Sequence, residues 1–184
     1  MHDPHSAVTV RERRDADLHE VAAVLVAVHG SDGYPVEGVA DPIAWLTGGP
    51  VLRAWVGELG GKIIGHVSIS SPQSGDAAAR LWSEAPRDCN SSVGVLGRLF
   101  VISSARGRAV GELLIRAATT YADEIGVRLV LDVMAKDVSA IRLYERLGWK
   151  RIGVTSHAAG QGNVIPAVCY VAPRAGIARS EGGD

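Results

Sequence analysis

The sequence predicts an α/β fold with a mixed sheet, and three stretches carry that expectation. From Val93 to Met134 an apolar run, a glycine-bearing turn, a helical stripe and a second apolar run make a βαβ unit. Leu52–Gly57 and Lys62–Ile69 flank Leu59-Gly60-Gly61-Lys62, which reads as the turn of an antiparallel hairpin. Near the end, Lys150–Thr155 and Val164–Val171 are joined by Gly160-Gln161-Gly162-Asn163 and predict a closing hairpin.

The elements follow in order. Val8–Glu12 alternates and predicts a first strand. Asp15 is the expected N-cap of a helix whose stripe, Leu18, Val21, Ala22, Leu25 and Val28, ends at Gly30. After a loop with Gly33, Pro35 and Gly38, Asp41-Pro42 supplies the N-cap and first position of a short helix through Leu46, closed by Gly48-Gly49-Pro50. The alternating strand Lys62–Ile69 carries His66, read as a structural histidine with a proton acceptor as the alternative. Residues 71–92 lack a clean period and predict an irregular loop with a short helix at Ala77–Trp82. Val93–Ile102 is the central strand. Val110, Leu113, Leu114, Ala117, Ala118, Tyr121 and Ile125 then recur at helical spacing until Gly126 stops them. Val127–Met134 is the next strand, and a helix from near Asp137 ends at Leu147-Gly148-Trp149. Pro166 in the last strand predicts an edge or a bulge.

Composition narrows the function classes. The chain has 184 residues, enough for one domain with a real core, and 47% of them are apolar against 21% charged. A formal net charge of −1 gives no electrostatic case for a nucleic-acid or membrane partner. Cys89 and Cys169 do not form a metal-type pair, so no metal is expected. The N-terminus is polar and no apolar run reaches membrane-spanning length, so a cytoplasmic protein is expected.

The turn inside the βαβ unit has the chemistry of an anion site. The first N–H groups of a helix lack intrahelical partners, and the macrodipole adds roughly half a positive charge there. Gly107 and Gly111 allow a ligand close to the backbone, and Arg106 and Arg108 add forked cationic donors. A pyrophosphate seated at 106–111 is one reading; a solvent-facing turn with incidental arginines is the other. Two known phosphate loops are excluded by counting. Before Gly61-Lys62 the P-loop glycine position holds Val56, and Gly-x-Gly-x-x-Gly does not occur.

Two stretches of this chain resemble the GNAT N-acetyltransferase superfamily. The family's acyl-CoA loop, Arg/Gln-x-x-Gly-x-Gly/Ala, stands here as Arg106-Gly107-Arg108-Ala109-Val110-Gly111, with Ala109 in place of the first pattern glycine. Its second signature, Asn-x-x-Ala-x-x-Leu/Phe-Tyr-x-x-x-Gly-Phe, stands as Asp137 through Ala140, Leu143, Tyr144 and Gly148 to Trp149, with Asp137 replacing Asn and Trp149 replacing Phe. The resemblance covers 93–152, with both motifs in order and correctly spaced.

It implies a single GNAT domain over 1–173; residues 174–184, with Gly, Arg, Ser and acidic residues, read as a flexible tail. The implied sheet is mixed, mostly antiparallel, and flanked by helices on both faces. Acetyl-CoA is the implied co-substrate. Its pyrophosphate would lie on Arg106, Gly107, Arg108, Ala109, Val110 and Gly111, and backbone groups of Leu99, Phe100 and Val101 would pair with the pantetheine. Asp137 and Ala140 would line the pantetheine arm, and Tyr144 would protonate the departing thiolate. Tyr144 lies one helical turn from Ile141 and from Leu147, on the inward face. The implied acceptor is a primary amine on a small molecule, a peptide N-terminus or a lysine. Tyr34, Glu37, Trp45, Trp82, Glu84 and Asp88 are candidates to wall its site, and family members are often dimeric.

The chemistry asks for a base as well. An alkyl amine with a pKa of about 10.4 is neutral in roughly one molecule per thousand at pH 7. Many family members place an acid on the central strand, but this one has Gly97-Arg98 there. Glu37, His66, Glu84 and Asp88 remain open for the role. A non-catalytic acyl-CoA sensor is the competing class, to which Ala109, Asp137 and the missing strand carboxylate would point.

Overall fold

The computed structural model describes residues 7–85, 92–159 and 163–174. In chain order the elements are β1 (Thr9–Glu12), α1 (Leu18–Asp32), α2 (Pro42–Thr47), β2 (Val51–Leu59), β3 (Lys62–Ser70) and α3 (Ala77–Glu84). Then come β4 (Ser92–Val101), α4 (Val110–Glu124), β5 (Val127–Met134), α5 (Val138–Arg146), β6 (Lys150–Ala159) and β7 (Asn163–Val171). Among the described residues the strands form a seven-stranded sheet in the order β1-β2-β3-β4-β5-β7-β6. Only the β4–β5 pair is parallel, as a βαβ crossover requires; the others are antiparallel.

Helices cover both faces. On one side α4 and α5 bury Leu114, Ile115, Ala118 and Tyr144 against Trp55, Val67, Ile69, Leu96, Leu129 and Leu131. On the other, α1 and α2 bury Val21, Leu25, Val28 and Leu46 against Val56, Ile63 and Phe100, while α3 lies over Val130, Cys169 and Val171. That is why β3 is buried at every residue from Ile63 to Ile69, although its sequence alternates. Full burial of side chains like these contributes roughly 1.5–3 kcal/mol each.

The start of α4 is fixed by missing side chains beneath it. A Cβ on Gly57 of β2 would come within 2.9 Å of Val110 Cγ1, and one on Gly65 of β3 within 3.2 Å of Leu114 Cδ1. The helix therefore rests on bare backbone, and its first turn is set low over the sheet.

Three elements differ from expectation. α1 runs past Gly30 to Asp32 and ends on Gly33, whose φ of 68° is the left-handed cap that glycine accepts without strain. Its N-terminal turn is organised by Asp17 rather than Asp15: the Asp17 carboxylate accepts from the Arg14 amide at 2.6 Å and from Arg11 at 2.7 and 2.9 Å. Pro166 lies on an interior strand, since β7 is paired with both β5 and β6, and the one β6–β7 register shift is at Arg151/Gly153. The Pro166 carbonyl accepts from the Ala135 amide, so its missing N–H faces β5 just where that ladder ends at Met134–Ala167.

Candidate active site

The parallel pairing of β4 and β5 lasts only from Ser92–Val127 to Val95–Val130. Beyond it β5 bonds to β7 alone and β4 to β3 alone, so the two strands part like a fork. The cause lies in β4. Between the pairs Ser68–Gly97 and His66–Phe100 the ladder has a bulge, and Arg98 sits there with φ of 52°. A non-glycine residue costs about 1–2 kcal/mol in that region, so the surroundings must hold it.

His66 is what holds it. Its ring is fully buried and stacks on Phe100 at 5.3 Å; Nδ1 lies 3.0 Å from the Arg98 carbonyl and Nε2 lies 3.1 Å from Arg13 Nη1. Arginine can only donate, so Nε2 accepts and the Nδ1–H donates to the bulge carbonyl. Burial, with the Arg13 and Arg98 charges adding to it, pulls the imidazole down to about 3. His66 is therefore neutral, enclosed and structural, and it is not the base. The sign of the linkage is fixed: the unfolded histidine binds its proton near 6.5 and the folded one near 3, so stability is whole above 6.5 and falls as pH drops towards 3. Replacing His66 with Gln should cost about 1–3 kcal/mol at neutral pH and flatten that acid slope in thermal melts; an unchanged slope would refute the assignment.

On the α4 side of the fork lie the residues expected to hold acyl-CoA. Ile102 N–H donates to Ile64 O across β3, so strand alternation turns the amides of Leu99 and Val101 to the open edge and that of Phe100 towards β3. Phe100 pairs with His66, and its ring enters the α1 cluster. An added extended chain would thus meet Leu99 and Val101, not Phe100.

Residues 106–109 are exposed. Gly107 has φ of 77° and nothing within 4 Å of a would-be Cβ, which leaves open space over the loop. Intrahelical bonding in α4 starts with Leu113 N–H to Ala109 O, so the amides of Val110, Gly111 and Glu112 have no partner inside the helix. Gly111 serves packing too, since a Cβ there would sit 3.2 Å from Leu143 Cδ2 of α5. Arg106 makes an ion pair with Asp32 at the end of α1, so a bound phosphate would share its guanidinium with a carboxylate. Loop, helix start and free strand edge are the donor set a phosphorylated, amide-bearing ligand such as acetyl-CoA needs, and the residues fit it.

Ala109 has φ of 58° at the position where the family pattern has glycine. Ala109→Gly should remove about 1 kcal/mol of strain and raise the melting temperature. A variant no more stable than the parent would contradict this.

Tyr144 on α5 is buried under the fork, its ring 5.4 Å from Trp149 and 6.3 Å from Tyr170. Its hydroxyl bonds to no described residue. Burial, with Tyr34 and Asp132 nearby, pushes the phenol upward, so it stays protonated and can donate. Asp137 and Ala140 are half-buried at the start of α5, and the Asp137 side chain caps no amide there.

The opposite face of the fork is lined from four elements. Tyr34, in the loop after α1, contacts Trp45 of α2 edge-on at 5.9 Å and Phe100 at 6.4 Å. Burial first, then Glu37, raises its phenol, while Arg98 opposes. Arg98 turns towards Trp45, 5.5 Å from ring to guanidinium carbon. Across the gap on β5 stands Asp132, two residues beyond the last β4 pair, in direct contact with the His157 ring of β6. The Asp132 side chain is 19% exposed and that of His157 37%, so the pair is sheltered yet reachable. Asp132 also helps burial push the Cys169 thiol up to about 11, which keeps it an inert thiol.

Of the other expected wall residues, Trp82 packs over Arg128 at the start of β5, away from the fork, and Glu84 pairs with Arg80 at 3.7 Å in solvent. Asp88 and Cys89 lie outside the described residues. Sequence reading missed Asp132 and His157. A lone carboxylate inside the apolar run Val127–Met134 was the signal for the first; no local signal marks the second.

A fork opened by a bulge, with a helix start beside one prong and a tyrosine beneath, is set into a mixed α/β sheet. The chain belongs to the acetyltransferase (GNAT) family, whose model matches residues 19–149. Its fold is that of the Arabidopsis thaliana NAA60 crystallised with acetyl-CoA (TM-score 0.68, 19% identity, covering 90% of this chain and 97% of that one). A GNAT acetyltransferase from Streptococcus pneumoniae (0.68, 20%, 91% and 99%) and a ribosomal-protein-alanine N-acetyltransferase from Brucella melitensis (0.66, 21%, 89% and 98%) are similar to the same extent. No curated protein matches the sequence. Among the described residues no helix is long and apolar enough to cross a membrane, and no cluster of ligands fits a metal ion.

Proposed function

We propose that this protein is an acetyl-CoA-dependent N-acetyltransferase acting on a primary amine, with Tyr144 as proton donor and the Asp132–His157 pair as proton acceptor. The observation that carries the reading is the fork itself, with a proton donor on one side and an acid–imidazole pair on the other. When bound, acetyl-CoA supplies an acetyl thioester.

The chain's own residues do the rest. The α4 amides and Arg108 hold the diphosphate, and the Leu99 and Val101 backbone holds the pantetheine as an added strand. The acceptor enters from the α2 face as an ammonium ion. His157 Nε2 faces the Asp132 carboxylate, which fixes the ring and leaves Nδ1 to take the ammonium proton, directly or through one water. The free amine then attacks the acetyl carbonyl carbon, the C–S bond breaks, and the Tyr144 hydroxyl protonates the departing sulfur. The non-catalytic alternative drew on Ala109, Asp137 and a missing carboxylate in the central strand; for the last of these, Asp132 on the neighbouring prong offers a carboxylate.

Thiol release from acetyl-CoA over a panel of primary amines tests the reading. Turnover with at least one amine is expected. Tight CoA binding with no thiol release from any amine would overturn it in favour of a sensor.

A further inference from the structure

Among the described residues, six arginines of this protein stand beside a carboxylate, while exposed ones such as Arg108 do not. Arg11, Arg53, Arg80, Arg106, Arg116 and Arg146 each have a carboxylate within ion-pair distance, and each lies at the surface or partly so. Arg98 has none among the described residues, although it is half-buried. Its guanidinium donates to the Gly48 carbonyl at 2.6 Å and reaches Ser70 Oγ at 3.5 Å, both neutral acceptors. Five N–H groups are available, and among the described residues two acceptors are within reach of them. A second cation, Arg13, lies on the far side of His66 and also lacks a close carboxylate, with Asp15 and Asp17 acting on it only at longer range.

Arg98 also lines a cleft. The space holds about 220 Å³ and is bounded by Trp45, Ser68, Ser70, Gln73, Gly97 and Arg98 on the acceptor face of the fork. Asp76 also lines it, but its carboxylate accepts from the Gln73 amide at 2.5 Å and makes no ion pair with Arg98. The bulge places this side chain here: Gly97 and Arg98 both turn to the same face, where a regular strand would send one of them to the α4 side. A half-buried cation that lines a cleft with N–H groups to spare, and has no close carboxylate among the described residues, is placed to receive an anion there.

We propose that Arg98 binds a carboxylate carried by the acceptor, so that the substrate is a free amino acid rather than a peptide N-terminus or a protein lysine. This rests on the acetyltransferase reading above, in which the amine lies between the prongs. Arg98 stands on one prong, three residues past the last β4–β5 pair, and Asp132 on the other, two residues past it. An acceptor that carries both an amine and an anion offers one group to each prong. A residue inside a peptide chain has an amide where the carboxylate is required.

The test separates binding from turnover. N-acetyl amino acids and the matching N-acetyl amino amides are titrated by calorimetry into CoA-saturated protein, wild type and Arg98→Gln, with Arg98→Lys as the charge-conserving control. For the best-bound side chain, the acid should bind at least tenfold more tightly than the amide. Arg98→Gln should erase that preference and Arg98→Lys restore part of it, with CoA affinity unchanged in all three. Equal affinity for acid and amide, no binding of either, or a preference that survives in Arg98→Gln would overturn the proposal. Absence of thiol release would count against the catalytic reading alone. Where turnover is seen, the acid's advantage in kcat/KM should appear against chemistry: an amino amide has the less basic amine and so more of it free at pH 7.

Discussion

Asp132→Asn should lower kcat about a hundredfold or more and leave acetyl-CoA affinity within about twofold. Asparagine keeps the shape of the side chain but cannot carry the negative charge that orients and stabilises a protonated His157. With the His157 ring no longer oriented, turnover depends more on acceptor that arrives already neutral, which at pH 7 is about one alkyl amine in a thousand. The variant's rate should accordingly rise with pH, up to about tenfold per unit, until the amine itself titrates. His157→Gln should show the same pH profile, and the double variant should be little worse than either single one, because the two groups act as a unit. Rates unchanged in both single variants would remove the pair from the mechanism. Melting temperatures provide the control, since a pair with side chains 19% and 37% exposed contributes only modestly to folding.

Tyr144→Phe should cost about 10²–10⁴ in kcat, the usual range for losing a positioned proton donor. The substitution removes one oxygen and leaves the ring against Trp149 and Tyr170. No described residue bonds to that hydroxyl, so little stability should go with it. Thiol release followed under saturating acetyl-CoA is the measurement. A fall in kcat with an unaltered melt supports the proton-donor role; parent-like kcat would reduce Tyr144 to a packing residue. Burial keeps this phenol protonated at every working pH, so the basic limb of the parent's profile should not report its ionisation.

Most of the framework was legible. Val127–Met134 was bounded correctly because Gly126 ends one helix and an apolar β-branched run follows. Asp41-Pro42 marked the start of α2, and the Asp41 carboxylate accepts from the Ala44 amide at 2.9 Å as a cap should. Local punctuation failed where a distant element decided the outcome. Gly30 reads as a stop, but continued bonding carries α1 two residues further, to Asp32, before Gly33 caps it. Pro166 reads as an edge signal, yet it lies on an interior strand, which accepts it because the β5 ladder ends beside it.

The sequence by itself determined the βαβ unit, the two hairpins, the glycine-bearing turn before the long helix and the tyrosine on the short one. Those features depend on contacts a few residues apart, which periodicity, caps and turn residues encode directly. Tertiary structure alone decided that β4 and β5 part after Val95, that Arg98 swings to the acceptor face, and that Asp132 meets His157 across an intervening strand. Each of these depends on strand order and register. A one-residue bulge exchanges the faces of a strand, and β7 enters between β5 and β6 from the end of the chain. Partners separated by 25 residues in sequence, as Asp132 and His157 are, share no local signal; only the completed sheet brings them together.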